Sequence, residues 1–556
     1  MKRRAYLLMK QWCDALLSHT IRTDSPYTDG ALICPACHVL HGRVADLCLP
    51  LTLLWAEEDD RRYLEAADRL IDWSEYNLPN PDGLWRNDAL NKWYGTSAFS
   101  AMSIGEALLH LGKRLPEQIR DKWTAIFVRM MDAVERLDEK KGFSPVSNYY
   151  CGFAASLALA WTLTGEERYL RKADYWAEAV CSRFDADGLL YGEGPAEAAE
   201  DGSHTVDMGY ALEESLPLLL RYASLTGKRE TFLRDRMRDH LAFLLPDGAM
   251  DNSFGTRHNK WTYWGSRTSD GLIEGLALVM DEPICADAAE RVLGIYERCT
   301  HNGLLAMPMA HEVGEPTCLH HAFPHAKALA LFICCAPDGL QPSRTLLACE
   351  EKYGVRPYQN GRLLLVSHGE FRATFSASAA TYLPEFTANY GGSMNLLYHD
   401  RYGILCAATS AEYRPTEPLN QQLLRHTDSY PCMTAQFVVD GVQACRDKRV
   451  SLSADGTTVT AQAEKWQARY AFEGARLTIT LDCEDGEYHL PIVCSKERSA
   501  SLLEGGTCLH IDGGPTICSD VPMSVDTQRR IFHPVGGLLY LPIILKVRGC
   551  VTVTID

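Results

Sequence analysis

Four stretches of the chain gather the side chains best suited to chemistry. The segment "EGPAEAAEDGSHTVDMGYALEESLP", residues 193–217, carries Glu193, Asp201, His204, Asp207 and Tyr210. His204 and Tyr210 suit proton abstraction and donation, whereas Glu193 or Asp201 suits acid/base work at a glycosidic oxygen. Asp207 and Glu213 read instead as anionic partners of a helix N-terminus. The segment "MDNSFGTRHNKWTYWGSRTSDG", residues 250–271, offers Arg257, Lys260 and Arg267 for an anion, Trp261, Tyr263 and Trp264 for stacking, and Asp251 and Asp270 for proton transfer or orientation. Two arginines and a lysine among aromatic rings are most simply explained by a carboxylate held bidentately. In "GLWRNDALNKWYGTS", residues 83–97, Trp85 and Trp93 can stack on sugar rings, while Arg86, Asn87 and Asp88 can pair with hydroxyls. Asn148 and Tyr149, in "PVSNYYCGFAAS", extend the same set.

A fifth stretch, "ALICPACHVLHGR" at 31–43, places Cys34, Cys37 and His38 in a C-x-x-C-H pattern, followed by His41 and Arg43. Covalent haem needs export, for which the chain shows no signal. Structural zinc draws its two ligand pairs from separated segments, and no second C-x-x-C follows nearby. The reading taken is that the cysteines pack a loop, that His41 and Arg43 face the sugar acid, and that no metal or other cofactor is required. His311, Glu312, His320, His321 and His325 form a further cluster without H-E-x-x-H spacing, and are read as rim or interface residues.

Residues so far apart in sequence need a scaffold that returns them to one place. Up to about residue 335 the apolar periodicity is helical, with long segments at 40–57, 94–112, 149–163, 205–226 and 320–335. Charged helices of similar composition alternate with them, as in 57–73, 164–180 and 226–241. Glycine turns after the charged helices recur at 83, 142, 188, 248 and 303, with spacings of 59, 46, 60 and 55 residues. A helix pair cannot bury its apolar stripe alone, so the pairs are expected to close into an (α/α)6-type toroid whose turns open on one face. From about 360 onward the period becomes two, with β-branched residues and Asp-Gly turns, which predicts an antiparallel β-sandwich. The expected domains are 1–340 and 341–556.

The 556 residues carry a formal net charge of −17 and no Lys/Arg run, which argues against nucleic acid as a partner. The first helix, "MKRRAYLLMKQWCDALL", is interrupted by Lys10, Gln11 and Asp14 and reads as amphipathic rather than as a signal peptide. No stretch approaches the roughly 18 apolar residues of a membrane span. Twenty cysteines then suggest reduced thiols and a cytoplasmic chain.

The blocks "CPACHVLHGRVADLCLPL", "WRNDALNKWYGTSAF", "DGSHTVDMGYALEESLP", "KWTYWGSRTSDG" and "YGGSMNLLYHDRYGILCAATSAEY" together resemble a group of gut-bacterial (α/α) barrel plus β-sandwich enzymes of uronic-acid glycans. The chain looks most like the β-glucuronidases of glycoside hydrolase family 154, and more loosely like heparinase II/III-type polysaccharide lyases. The first likeness implies removal of a terminal glucuronic acid from an imported oligosaccharide, using two carboxyl groups among Asp88, Glu193, Asp201, Asp251 and Asp270. The second implies β-elimination by an Asn/His/Tyr set, which Asn148, His204 and either Tyr210 or Tyr263 can fill. The number of carboxylates favours hydrolysis as the main expectation, with the lyase as its alternative and a non-catalytic glycan binder as a third. Surface beside the sandwich is expected to suit a homodimer.

Overall fold

The computed structural model describes the chain except residues 89–93, 139–145, 259, 265–269, 340–341, 379, 383–389 and 410–430, and the side chain of Glu504. The helical part runs α1 (Lys2–Leu17), α2 (Cys48–Glu58), α3 (Arg61–Asn77), α4 (Ser97–Leu111), α5 (Glu117–Glu135), α6 (Ser147–Thr164) and α7 (Glu167–Cys181). It continues through a short α8 (Met208–Tyr210), a π-turn over Ala211–Ser215, α9 (Leu216–Thr226), α10 (Glu230–His240), α11 (Leu272–Ala277), α12 (Pro283–Arg298) and α13 (Leu319–Cys335).

Composition decides which helices go inside. α4 and α6 bury almost every side chain, including serines and glycines that let neighbours approach. α3 buries one face, with Tyr63, Leu64, Ala67, Leu70, Ile71 and Trp73 among its buried residues, and leaves its charges outside. Accordingly α2, α4, α6, α9, α11 and α13 pack in succession, with α13 returning to α2, while α3, α5, α7, α10, α12 and α1 each pair with one of them from outside. The result is a closed ring of six helix hairpins. Trp12, Trp73, Trp123 and Trp176, one on each of four outer helices, are fully buried; truncating any of them costs about 3–5 kcal/mol. A second repeated device links successive outer helices to their neighbours. Tyr63 donates to Asp14, the Trp123 indole N–H to Asp68, Tyr169 to Asp132 and Tyr222 to Asp174, at 2.6–2.9 Å.

After the outer helices the chain turns through a short antiparallel pairing, as at Pro79 with Trp85, Phe184 with Leu190, Leu244 with Met250, and His301 with Leu304. Gly83, Gly188, Gly248 and Gly303 sit in these turns with φ between 79° and 92°, where a side chain would be strained. Gly30, with φ 83°, occupies the same place between Thr20 and Leu32, so the turn after α1 belongs to the series although the spacing reading began only at Gly83.

The second part contains a five-stranded antiparallel sheet, in the order Gly354–Tyr358, Leu363–His368, Phe371–Ser376, Ser393–His399 and Gly403–Ala407. It faces a larger sheet built around two long antiparallel strands, Arg476–Val493 and Leu538–Ile555. Phe371, Phe375 and Leu397 from one sheet meet Tyr470, Phe472, Ile479 and Leu490 from the other in a common core, which makes a sandwich. The cysteines are not uniformly reduced as expected, because Cys508 and Cys518 form a disulfide across paired strands. Among the described residues, no helix is long and apolar enough to cross a membrane.

Candidate active site

The loops that follow the glycine turns, together with the first turns of the inner helices, bring a chain of charged and polar groups to one end of the ring. It begins on α13, where Lys327 lies in an otherwise apolar run and is buried. Its ammonium sits 2.9 Å from Asp270, which also pairs with Arg43. Arg43 donates in addition to Asp46 at 2.7 and 3.0 Å and has a terminal nitrogen 4.0 Å from Glu214. Glu214 accepts from the Asn148 side-chain amide at 2.6 Å, and the Asn148 backbone N–H donates to Glu193 at 3.0 Å. The second Glu193 oxygen lies 3.3 Å from Arg257, whose guanidinium stacks on the Tyr210 ring at 4.1 Å. Lys260 completes the series by donating to the Tyr210 hydroxyl at 2.8 Å.

Local structure explains these placements. Asn148 stands in the first turn of α6. Asp207 caps α8 by accepting the Tyr210 N–H, and also accepts the Arg257 N–H and the Asn252 side-chain amide, so it ties the two loops together. Gly209 lies so close to Trp261 that any side chain there would overlap the indole. The π-turn directly after Tyr210 contains Glu213 and Glu214, both buried.

The electrostatics divide the carboxyl groups. Burial pushes Glu193 up to about 7, against the opposing pull of Arg257 and the Asn148 N–H. Glu214 goes up to about 8, because burial and the charge of Asp270 outweigh Arg43 and Asn148. Asp270 is held below the usual range: its burial is overcome by Arg43 and Lys327. Near neutrality the site therefore holds a protonated carboxyl at Glu214 beside an ionised Asp270. A carboxylic acid kept neutral by its surroundings can donate a hydrogen bond to an anion.

Glu193, Tyr210, Asn148, Arg257 and Lys260 come together, and Arg43 and Asp270 adjoin them as a buried ion pair. Arg43 is thus committed to Asp46 and Asp270 rather than open to a sugar acid, and Asp270 is no proton donor. Asp251 accepts from Ser253 and Thr374 and serves the seam with the sandwich. Trp85 is a core residue with its indole N–H on Glu75. Tyr263 donates to Asp247, and Trp264 stacks against His325, both buried. These three rings offer no open platform. Tyr149 packs on Gly95 and against Phe99. His204 stacks on Tyr191 at 4.2 Å and its carbonyl accepts from Gln359, which puts it at the seam and off the series of contacts. Asp88 is buried and its backbone pairs with His41. Arg267 and Trp93 lie outside the described residues. His41 turns away from the sugar-binding role expected of it, toward Cys37 and Cys318.

Glu214, Lys327 and Tyr382 were missed by the sequence reading. Lys327 had a legible signal, a lone cation inside "HAKALALF". Tyr382 had none: it comes from the sandwich part, and the Arg257 guanidinium lies 4.5 Å from its ring centre. Gly194, with φ 139°, lets that segment approach to 3.2 Å of where a Cβ would stand.

Comparison with known proteins gives three findings. The family profile described as Ulvan lyase N-terminal domain matches residues 9–345, and the Ulvan lyase C-terminal domain profile matches 355–443. The broad-specificity ulvan lyase of Formosa agariphila is 35% identical over 430 residues, covering 75% of this chain and 67% of that protein. The chondroitin AC lyase of Streptomyces coelicolor A3 shares the fold, with a TM-score of 0.54 at 14% identity, over 100% of this chain and 79% of that one. These matches overturn the expectation of a β-glucuronidase-type glycoside hydrolase and of family 154 as the nearest family. They favour the elimination chemistry weighed as its alternative.

Proposed function

The chain belongs to the ulvan lyase family, and on that premise we propose that it is a polysaccharide lyase cleaving an acidic, uronate-containing glycan of the ulvan type by β-elimination. One arrangement carries the reading: the Tyr210 phenol, flanked by Lys260 and Arg257, stands at the end of a continuous series of contacts that also holds Asn148 and a protonated Glu214. β-Elimination needs a group to neutralise the uronate carboxylate, a base for the C5 proton and an acid for the departing O4. In this proposal the Asn148 amide and the Glu214 acid bind the carboxylate, which makes the C5 proton easier to remove. Tyr210, acting as its phenolate, takes that proton and becomes the phenol, the C5 electrons form the C4=C5 double bond, and the C4–O4 bond breaks. The phenol then returns the proton to O4. The two cations stabilise negative charge on the phenolic oxygen at the moment it acts as base.

The test is incubation with ulvan and, separately, with a neutral glucan and an aryl β-glucuronide, following the ultraviolet absorbance of a 4,5-unsaturated uronate. Absorbance is expected from ulvan alone. New reducing ends without absorbance, or release of the aryl group, would overturn the proposal. Tyr210→Phe keeps the ring on Trp261. It is expected to lower kcat about 10²–10⁴-fold with little change in KM.

A further inference from the structure

The loop that opens the chain's first repeat converges on a cysteine nearly three hundred residues away. Cys34 and Cys37 lie at the tip of a small hairpin, closed by the pairing of Ile33 with Leu40 and by the His38 N–H donating to the Cys34 carbonyl. His38 takes φ 57° at that tip, which turns the chain so that His41 comes back beside the two sulfurs. Facing them is Cys318, the residue that precedes α13. The four ligand atoms all lie within 4.8 Å of one another, and Cys34, His41 and Cys318 are buried.

We propose that Cys34, Cys37, His41 and Cys318 form a structural zinc site of the Cys₃His type. Tetrahedral zinc, with bonds of about 2.3 Å to sulfur and about 2.0 Å to imidazole nitrogen, sets ligand sulfurs about 3.8 Å apart and sulfur and nitrogen about 3.5 Å apart. The Cys34 and Cys318 sulfurs are 3.7 Å apart, and His41 Nε2 is 3.6 Å from Cys318 and 3.2 Å from Cys37. Three thiol sulfurs and an imidazole nitrogen in such an array are a soft donor set that suits zinc rather than calcium or magnesium. The ligands also meet the requirement that made the C-x-x-C-H stretch look insufficient by itself, because Cys318 supplies the separated segment.

The site sits at the seam where the ring closes. It joins the loop before α2 to the start of α13, the first and last inner helices. Arg43 follows His41 by two residues, and Lys327 lies two to three turns into α13; both hold Asp270. Zinc would therefore fasten two of the cationic supports of the active site to each other while taking no part in the elimination.

Protein purified under reducing conditions without chelator is expected to carry about one zinc per chain by plasma mass spectrometry, as a closed four-ligand site requires. Cys318→Ser should lose most of it, whereas Cys285→Ser, at a buried cysteine elsewhere, should keep it. If Cys318→Ser fails to fold, cobalt exchanged into the unaltered chain gives an independent readout. Intense thiolate-to-cobalt absorption with tetrahedral d–d bands is the expected result. Metal-free protein with full helical content, or a Cys34–Cys318 disulfide found by peptide mapping of the unreduced chain, would overturn the proposal. Neither result would bear on lyase activity, which is read separately from the unsaturated product.

Discussion

Glu214 shows how a single position acquires its chemistry from what surrounds it. In the sequence it is one of two adjacent glutamates, yet burial and the neighbouring Asp270 raise it to about 8 while Asp270 itself stays ionised on Arg43 and Lys327. A carboxyl raised in the folded state binds its proton more tightly there than in the unfolded chain. Its contribution to stability is complete below the unfolded value of 4.5 and is lost as pH rises through about 8. Glu214→Gln, which keeps a neutral amide donor, should flatten the fall in stability between about pH 4.5 and 8 and move the alkaline fall in kcat/KM to higher pH. Thermal unfolding and initial rates across pH 5–10 read both, with each unit of pH weighed as about 1.4 kcal/mol per proton released. An unchanged alkaline limb would mean that Glu214 is not the titrating group.

At the scale of elements, the inner helices do two jobs that pull against each other. They must be apolar enough to bury on all sides, yet their first turns carry the charged site. Charges buried among these helices come as pairs: Arg221 grips Glu106 through two hydrogen bonds of 2.7 Å, and Arg43 bridges Asp46 and Asp270. Removing one partner of a buried pair leaves an uncompensated charge and costs about 3–5 kcal/mol. Arg43→Leu is therefore expected to destabilise the protein by that amount in urea unfolding, and to lower activity by releasing Asp270. A loss below about 1 kcal/mol would show that Lys327 alone satisfies Asp270.

For the whole molecule, the sandwich completes the site that the toroid begins. Thr374 bonds Asp251, the Asn395 amide donates to the Ser253 carbonyl at 3.1 Å, and the Tyr382 ring meets the Arg257 guanidinium that also stacks on Tyr210. Arg257 thus contacts rings from the two halves, and cation–π stacking of this kind contributes about 0.5–2 kcal/mol. Tyr382→Ala should raise KM for ulvan about 2- to 30-fold, as that loss implies, while leaving the unfolding temperature of the protein within a few degrees. A fall in kcat alone would place Tyr382 in the chemical step instead.

The order of the architecture was open to reading from one chain, because burial imposes period 3.6 on helices and period two on strands, and because a repeated hairpin must close or stack. Asn148, Tyr210, Arg257 and Lys260 stand out as candidates for a similar reason, because each is a polar residue clustered near a glycine turn, and the structure brings these four into one series of contacts. What the pattern does not contain is distance. Trp85, Tyr263 and Trp264 looked like sugar platforms and are buried in the core, since an aromatic ring carries the same letter in either place. Only closure of the ring brings Cys318 to Cys34, sets Asp270 between Arg43 and Lys327, and lays Tyr382 on Arg257. Such contacts between distant segments decide which carboxyl keeps its proton, because they set both the burial and the neighbouring charges, and neither is a property of local sequence.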